Sequence, residues 1–111
     1  MAILSTNLSN LPVAISPNLS SDLAVTVMLF CNLNAPDPLD DSIGRQFLDI
    51  HVVASGDTPD NTNIIGNQIP VDAGDTFTFA SERLVLGPGD RIYASTTNST
   101  QVSVTISYVV I

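Results

Sequence analysis

The chain has 111 residues, which is enough for one domain with a single hydrophobic core and too few for two. It carries 11 acidic residues against three arginines and no lysine, so its formal net charge is −8. Because such a charge repels phosphate backbones and anionic lipids, nucleic acids and membrane surfaces are not expected as partners.

Residue preferences predict an all-β fold. Val, Ile and Thr favour strands, whereas Asp, Asn, Ser and Pro favour turns, and these types dominate the chain. We expect a single antiparallel β-sandwich or jelly roll of seven or eight strands, formed by residues 18–111. Residues 1–17 are expected to form an extended amino-terminal arm or edge strand, since Pro12 removes a backbone donor. This segment lacks the charged and apolar regions of a signal peptide, so cytoplasmic synthesis is expected.

Residues 23–31 predict a long central strand. One face is fully apolar and the other half apolar, so we expect this strand to be covered on both sides. The residues of the fully apolar face are Leu23, Val25, Val27, Leu29 and Cys31. Cys31 is the single cysteine of the chain, which excludes an intrachain disulfide, and its position predicts a small buried hydrophobe.

A polar loop over residues 32–44 precedes the next predicted strand. The inward face of that strand is predicted to consist of Gln46, Leu48, Ile50, Val52 and Ala54. Its outward face includes Phe47 and Val53, which we expect to meet another subunit. Residues 55–63 are rich in Gly, Pro, Asp and Asn and predict an exposed loop.

The second half of the chain predicts strands over residues 64–70, 76–80, 83–86 and 91–96, and a last one from residue 101. Residues 71–77 and 86–92 share a pattern of an apolar residue, two turn residues, Gly-Asp and a strand, which predicts a repeated turn at Gly74 and Gly89. The last strand has one apolar face, formed by Val102, Val104, Ile106, Tyr108 and Val110. Val109 and Ile111 add apolar groups to its other face, and we expect a neighbouring surface to cover them.

Groups that could support catalysis are few. His51 is the only imidazole of the chain, so a catalytic dyad would centre on it, with Asp49 two residues away on the same strand face. A hydrogen bond to solvent or at an interface is the expected role of this pair, and we expect no catalytic residue and no cofactor. Arg83, Arg91 and Tyr93 are expected to satisfy strand edges and nearby carboxylates.

Two oxygen-rich loops make calcium the metal to consider. One loop contains Asp37, Asp40 and Asp41, and the other contains Asp57, Asp60, Asn61 and Asn63. Neither spacing matches an EF-hand, so both are expected to be solvated loops without a metal.

Three pieces of the chain resemble a known family. They are PVDAG at residues 70–74, the turn and strand VLGPGDRIYA at residues 85–94, and the closing strand VSVTISY at residues 102–108. In these the chain resembles small β-sandwich virion proteins of tailed bacteriophages, including many from cyanophages. The resemblance covers most of the chain from Leu11 onward and implies an assembly component of the capsid, neck or tail. It implies no catalytic residue, since the family pattern has none to carry over.

The expected function is therefore that of a non-enzymatic virion structural protein that decorates an assembled capsid shell. The alternative is a tail, neck or tail-fibre module with receptor or carbohydrate binding, for which the chain offers only Tyr93 and Tyr108 as tyrosine platforms and no Trp. Expected partners are the major capsid protein and further copies of the chain, with a trimer as the expected symmetry. The residues predicted to form interfaces are Phe47, Val53, Val109 and Ile111.

Overall fold

The fold is a sandwich of two antiparallel β-sheets. The computed structural model describes residues 2–79 and 84–111, and these residues contain no helix. The prediction of an all-β sandwich is confirmed, with nine strands in the described residues where seven or eight are expected. The strands are β1 (Ala2–Asn7), β2 (Val13–Ala14), β3 (Leu23–Asn32), β4 (Gln46–Val53), β5 (Ile64–Val71), β6 (Thr76–Phe79), β7 (Leu84–Leu86), β8 (Arg91–Ser95) and β9 (Val102–Val110).

The larger sheet has five strands in the order β1-β9-β3-β6, with β7 also paired to β3, and the smaller sheet has four in the order β2-β8-β4-β5. Residues 1–17, expected as an arm or edge strand, supply β1 to the edge of one sheet and β2 to the edge of the other. Leu8 and Ile15 lie fully inside the core beside these strands. No described helix is long and apolar enough to cross a membrane.

The prediction for β3 is wrong beyond Val25, because the strand contains a β-bulge. The register with β9 shifts between Val25 and Val27. One extra residue reverses the alternation of side chains, so that Met28 and Phe30 enter the core and Leu29 points outward, where it is exposed. Cys31 likewise lies half-buried on the outer side rather than in the core.

The inner face of β4 follows its prediction more closely. Gln46, Leu48 and Ile50 are buried, and Val52 packs against the core from its margin. Ala54 lies beyond the end of the strand and is exposed. Buried Gln46 is satisfied, because its Oε1 accepts hydrogen bonds from the Thr96 hydroxyl and the Asn98 backbone.

The repeated Gly-Asp turn is confirmed. Gly74 and Gly89 have φ angles of 79° and 81°, which glycine adopts without steric cost. In both turns the Asp backbone N–H donates to the carbonyl three residues earlier. The Asp90 carboxylate also accepts from the backbone of Gly87 and Ser55, and so ties this turn to the end of β4.

Asn32 links the two sheets where β3 ends. Its side chain is 1% exposed, and its Nδ2 donates to the carbonyls of Gly44 at 2.8 Å and of Val71 at 2.9 Å. Its Oδ1 accepts from the backbone N–H of Asn34 at 3.0 Å. Since Val71 ends β5 in the smaller sheet and Asn32 ends β3 in the larger one, one amide joins both layers.

The last strand is buried over most of its length. Val102, Val104 and Ile106 are in the core, and Tyr108 packs against it. Val110 is exposed, although it faces the same side and pairs with the buried Leu23. The predicted limits of β6 and β7 at Ala80 and Arg83 lie outside the described residues.

Candidate interaction surface

The outer face of the five-stranded sheet carries no charged side chain among the described residues. Strand pairing places its side chains in cross-strand rows, and we call it the uncharged face. Its residues are Ile3, Ser5, Asn7, Ala24, Val27, Leu29, Cys31, Thr76, Thr78, Val85, Ser103, Thr105, Ser107 and Val109. In a chain with a formal charge of −8, a sheet face of this kind requires a reason.

The uncharged face has an aliphatic end and a hydroxyl end. At the aliphatic end, Val109, Ala24 and Val85 lie side by side in one row. Val85 is 65% exposed, and Ile3 in the neighbouring row is 70% exposed. At the hydroxyl end, Ser5 and Thr105 hydrogen-bond through their hydroxyls at 3.1 Å. Exposed aliphatic groups next to hydroxyls match the composition of a binding surface that is dry at its centre and polar at its rim.

The outer face of the four-stranded sheet is different, because charged and polar groups occupy it. The Asp49 carboxylate accepts hydrogen bonds from the backbone and the side chain of Gln68. Arg91 lies two strands from β5 on the same sheet, and its Nη2 donates to the carbonyl of Ser16. The smaller sheet therefore carries charged side chains, which the described residues of the uncharged face lack.

The four predicted interface residues do not form one surface. Val109 belongs to the uncharged face. Ile111 lies just beyond it and is 68% exposed, and its backbone N–H donates to the backbone carbonyl of Asp22. Phe47 is exposed on the opposite sheet. Val53 is 1% exposed, so the expectation that it faces another subunit is not supported. The structure thus separates Phe47 from Val109 and leaves Val53 no accessible surface.

Sequence reasoning misses three members of this surface: Ile3, Leu29 and Val85. The exposure of Leu29 results from the bulge in β3, which the alternation of residue types does not reveal. A signal for Val85 is present, because it stands between Leu84, which packs against the core, and Leu86, which is buried. Period-two alternation places the residue between them on the outer side.

His51 is held in a structural role. Its side chain is buried, and Nδ1 lies 2.9 Å from the Asn63 Oδ1. Asn63 also accepts from the backbone N–H of Asp60, so the imidazole anchors the loop between β4 and β5. Asp49, the expected partner of His51, is instead bonded to Gln68.

The acidic loops use their carboxylates to hold their own turns. Asp40 accepts from the backbone and hydroxyl of Ser42, and these hydrogen bonds lower the pKa of the Asp40 carboxyl. Asp60 accepts in the same way from Thr62, which lowers the pKa of Asp60. Within residues 2–79 and 84–111, no group of three or more His, Cys, Asp or Glu side chains is placed to hold a metal ion.

The two described arginines are bonded within the chain. Arg45 pairs with Asp72, and the hydrogen bond and charge of that carboxylate raise the pKa of Arg45. Arg91 bonds the Ser16 carbonyl, so it joins β8 to the segment that follows β2. The expected role of Arg83 falls outside the described residues.

A shallow cleft of about 310 Å³ opens beside Tyr93. Its polar lining includes Asn18, Ser55, Asp57 and Arg91. An aromatic ring beside amide, hydroxyl, carboxylate and guanidinium groups is a set that can bind a sugar ring by stacking and hydrogen bonds. This cleft lies on the side of the smaller sheet, away from the uncharged face.

Comparison with known proteins gives no match to a protein-family model, a curated protein or a solved structure.

Proposed function

We propose that this protein is a non-enzymatic structural component of a tailed-phage virion, and that it decorates the assembled capsid by docking its uncharged face on a shell protein. The observation that carries the proposal is the absence of charge from the described residues of that face in a chain of net charge −8. The virion assignment rests on the family resemblance of residues 70–74, 85–94 and 102–108.

Docking of this face is driven by burial of its aliphatic end. Full burial of a valine side chain contributes about 1.5–3 kcal/mol, and Val85 and Ile3 retain most of their accessible surface. The hydroxyl end contributes hydrogen bonds without the desolvation cost of an ion. Since no charged group of the described face takes part, we expect binding to depend weakly on salt concentration.

The experiment compares two matched aspartate substitutions in phage particles that assemble in cells producing this chain. Val85→Asp places a carboxylate on the uncharged face. Ile65→Asp places one on β5 of the other sheet, where Ile65 is 45% exposed against 65% for Val85. Both variants are checked for native circular dichroism and thermal unfolding before their incorporation into purified particles is quantified by mass spectrometry.

Val85→Asp is expected to lower incorporation by at least about tenfold, the equivalent of about 1.4 kcal/mol, because a carboxylate must be desolvated without a partner. Ile65→Asp is expected to be incorporated at the level of the unchanged protein. Equal incorporation of the two variants would contradict docking through the uncharged face. Absence of the unchanged protein from purified particles would contradict the virion assignment itself.

The cleft beside Tyr93 favours a second candidate function, a tail or fibre module that binds carbohydrate. Its test is a glycan array probed with the unchanged protein, with Tyr93→Ala, and with Tyr108→Ala as the matched control. Tyr108 lies on β9 and packs against the core rather than lining the cleft. Glycan signals that Tyr93→Ala alone removes would favour this function, and an array without any signal would reject it.

A further inference from the structure

Sheet edges expose unpaired backbone groups, and proteins usually guard them against pairing with other chains. The far edge of the smaller sheet, β5, has register shifts against β4, a proline at position 70 and a positive φ of 54° at Gln68. The opposite edge, β2, has only two residues, and β6 and β7 have four and three. Each of these edges is short or irregular.

The edge strand β1 lacks all of these protections. Its six residues, AILSTN, pair with β9 in continuous register from Ala2↔Tyr108 to Asn7↔Ser103 without a bulge. It contains no charge and no proline, and all six residues are exposed. A regular, uncharged strand of this length at an edge is a template for another strand.

The direction of the backbone groups in β1 follows from its ladder with β9. The N–H of Leu8 donates to the carbonyl of Val102, and the direction of backbone groups alternates along a strand. The backbone N–H and C=O groups of Thr6, Leu4 and Ala2 therefore point towards β9. The N–H and C=O groups of Ile3, Ser5 and Asn7 point to the open edge.

We propose that β1 pairs antiparallel with β1 of a second copy of this chain, about a two-fold axis at Ser5. In this register Ser5 faces Ser5 of the second copy, and Ile3 faces Asn7. All outward N–H and C=O groups of the strand then find partners. The pairing goes beyond the proposed function, since it uses the edge of the sheet rather than its face.

The distribution of charge favours a second copy of the chain as the partner. Two copies, each with a charge of −8, repel one another least when the contact lies away from their carboxylates. Strand β1 carries no carboxylate, and neither do the described residues of the uncharged face beside it. Pairing of the two β1 strands therefore brings no described side-chain carboxylates together. The described acids lie in loops or, for Asp49, on the other sheet. Pairing about the two-fold axis would also extend the uncharged face across both copies.

The contact is small. One pair of six-residue strands buries well below the about 1,200–2,000 Å² of a standard stable interface, so we expect a dimer that dissociates on dilution. Docking of many copies on a symmetric shell would strengthen it through a high effective concentration.

Disulfide trapping tests the pairing and its register. Facing residues of a hydrogen-bonded antiparallel pair have Cα atoms about 5.5 Å apart, which is within the range that a disulfide spans. Ser5→Cys is made together with Cys31→Ser, so that position 5 carries the only thiol. The control, Thr78→Cys with Cys31→Ser, places the thiol in the same cross-strand row of the uncharged face, on the opposite edge strand.

In a glutathione redox buffer, the position-5 variant is expected to form at least about tenfold more covalent dimer than the position-78 variant. Light scattering on the unchanged protein is expected to show a mass that rises from one copy towards two with concentration. Ser5→Pro, which removes one outward N–H, is expected to stay monomeric, whereas Ser5→Ala dimerises. A monomer at every concentration together with equal crosslinking at the two positions would overturn the proposal. Preferential crosslinking at position 78 would overturn it in favour of face-to-face packing.

Discussion

Replacing Asn32 by Ala tests whether one buried amide holds the two sheets together. The amide donates to the carbonyls of Gly44 and Val71 and accepts from the backbone of Asn34. Gly44 keeps a partner in the variant, because the Asn34 side chain also donates to its carbonyl at 2.9 Å. The groups left without their partner are therefore the Val71 carbonyl and the Asn34 N–H.

A buried polar group that loses its partner costs about 1–3 kcal/mol, and a half-buried one costs less. Loss of the partners of the buried Val71 carbonyl and the half-buried Asn34 N–H therefore lowers the free energy of unfolding by about 2–5 kcal/mol. This is a large share of the about 5–15 kcal/mol that stabilises a domain of this size. With an unfolding entropy of about 2.1 cal/mol/K per residue, the same loss corresponds to a fall in Tm of about 9–20 °C.

Urea unfolding followed by far-ultraviolet circular dichroism measures this change. Asn34→Ala is the matched control, because Asn32 keeps the Gly44 carbonyl satisfied, and we expect its cost to stay below about 1 kcal/mol. The reasoning is refuted if Asn32→Ala is no more destabilising than Asn34→Ala, or if it unfolds with an unchanged midpoint.

Two further predictions concern turns and loops. Gly89→Ala is expected to cost more stability than Gly56→Ala. Both residues have a positive φ, but only at Gly89 would an added Cβ overlap the side chain of Ser55. The Gly56 variant loses only the about 1–2 kcal/mol that an L residue costs in the left-handed backbone conformation. Equal Tm values for the Gly89 and Gly56 variants would contradict the steric overlap with Ser55. Hydrogen bonds from Thr62 lower the pKa of Asp60 in the folded state. The stability that these bonds give is complete above the unfolded-state pKa, and it is lost as the pH falls through the lower folded-state pKa. A carboxyl titration followed by NMR should place the Asp60 midpoint below that of an unstructured peptide, and a midpoint at or above the peptide value would disprove the hydrogen bonds.

The fold class is predictable from the sequence because alternation and turn residues act locally. The Gly-Asp turns are examples, since glycine at positions 74 and 89 satisfies a backbone requirement that is visible in the sequence. The β3 bulge is not predictable in this way. Thr26 donates from its hydroxyl to the carbonyl of Ser107, a partner 81 residues away, and alternation within β3 contains no information about that contact.

The candidate surface is harder to predict than the fold because a face is assembled from several strands. Val109 can be found from its own strand, but its neighbours Ala24 and Val85 become known only from the pairing of β9 and β7 with β3. Val53 shows the opposite error: its outward position in an alternating strand predicts exposure, yet it is buried in the folded chain. Exposure depends on which loops pass over a strand, and strand periodicity does not contain that information.

The pairing of β1 with β9 has a consequence for how the molecule folds. Ser5 and Thr105 are 100 positions apart in the sequence, so during synthesis β1 is made long before the strand that receives it. Closing such a loop is entropically costly, and folds dominated by distant pairings fold in milliseconds to seconds rather than microseconds. Until β9 leaves the ribosome, β1 has no intramolecular partner in the larger sheet, and nascent chains on one messenger could exchange this strand.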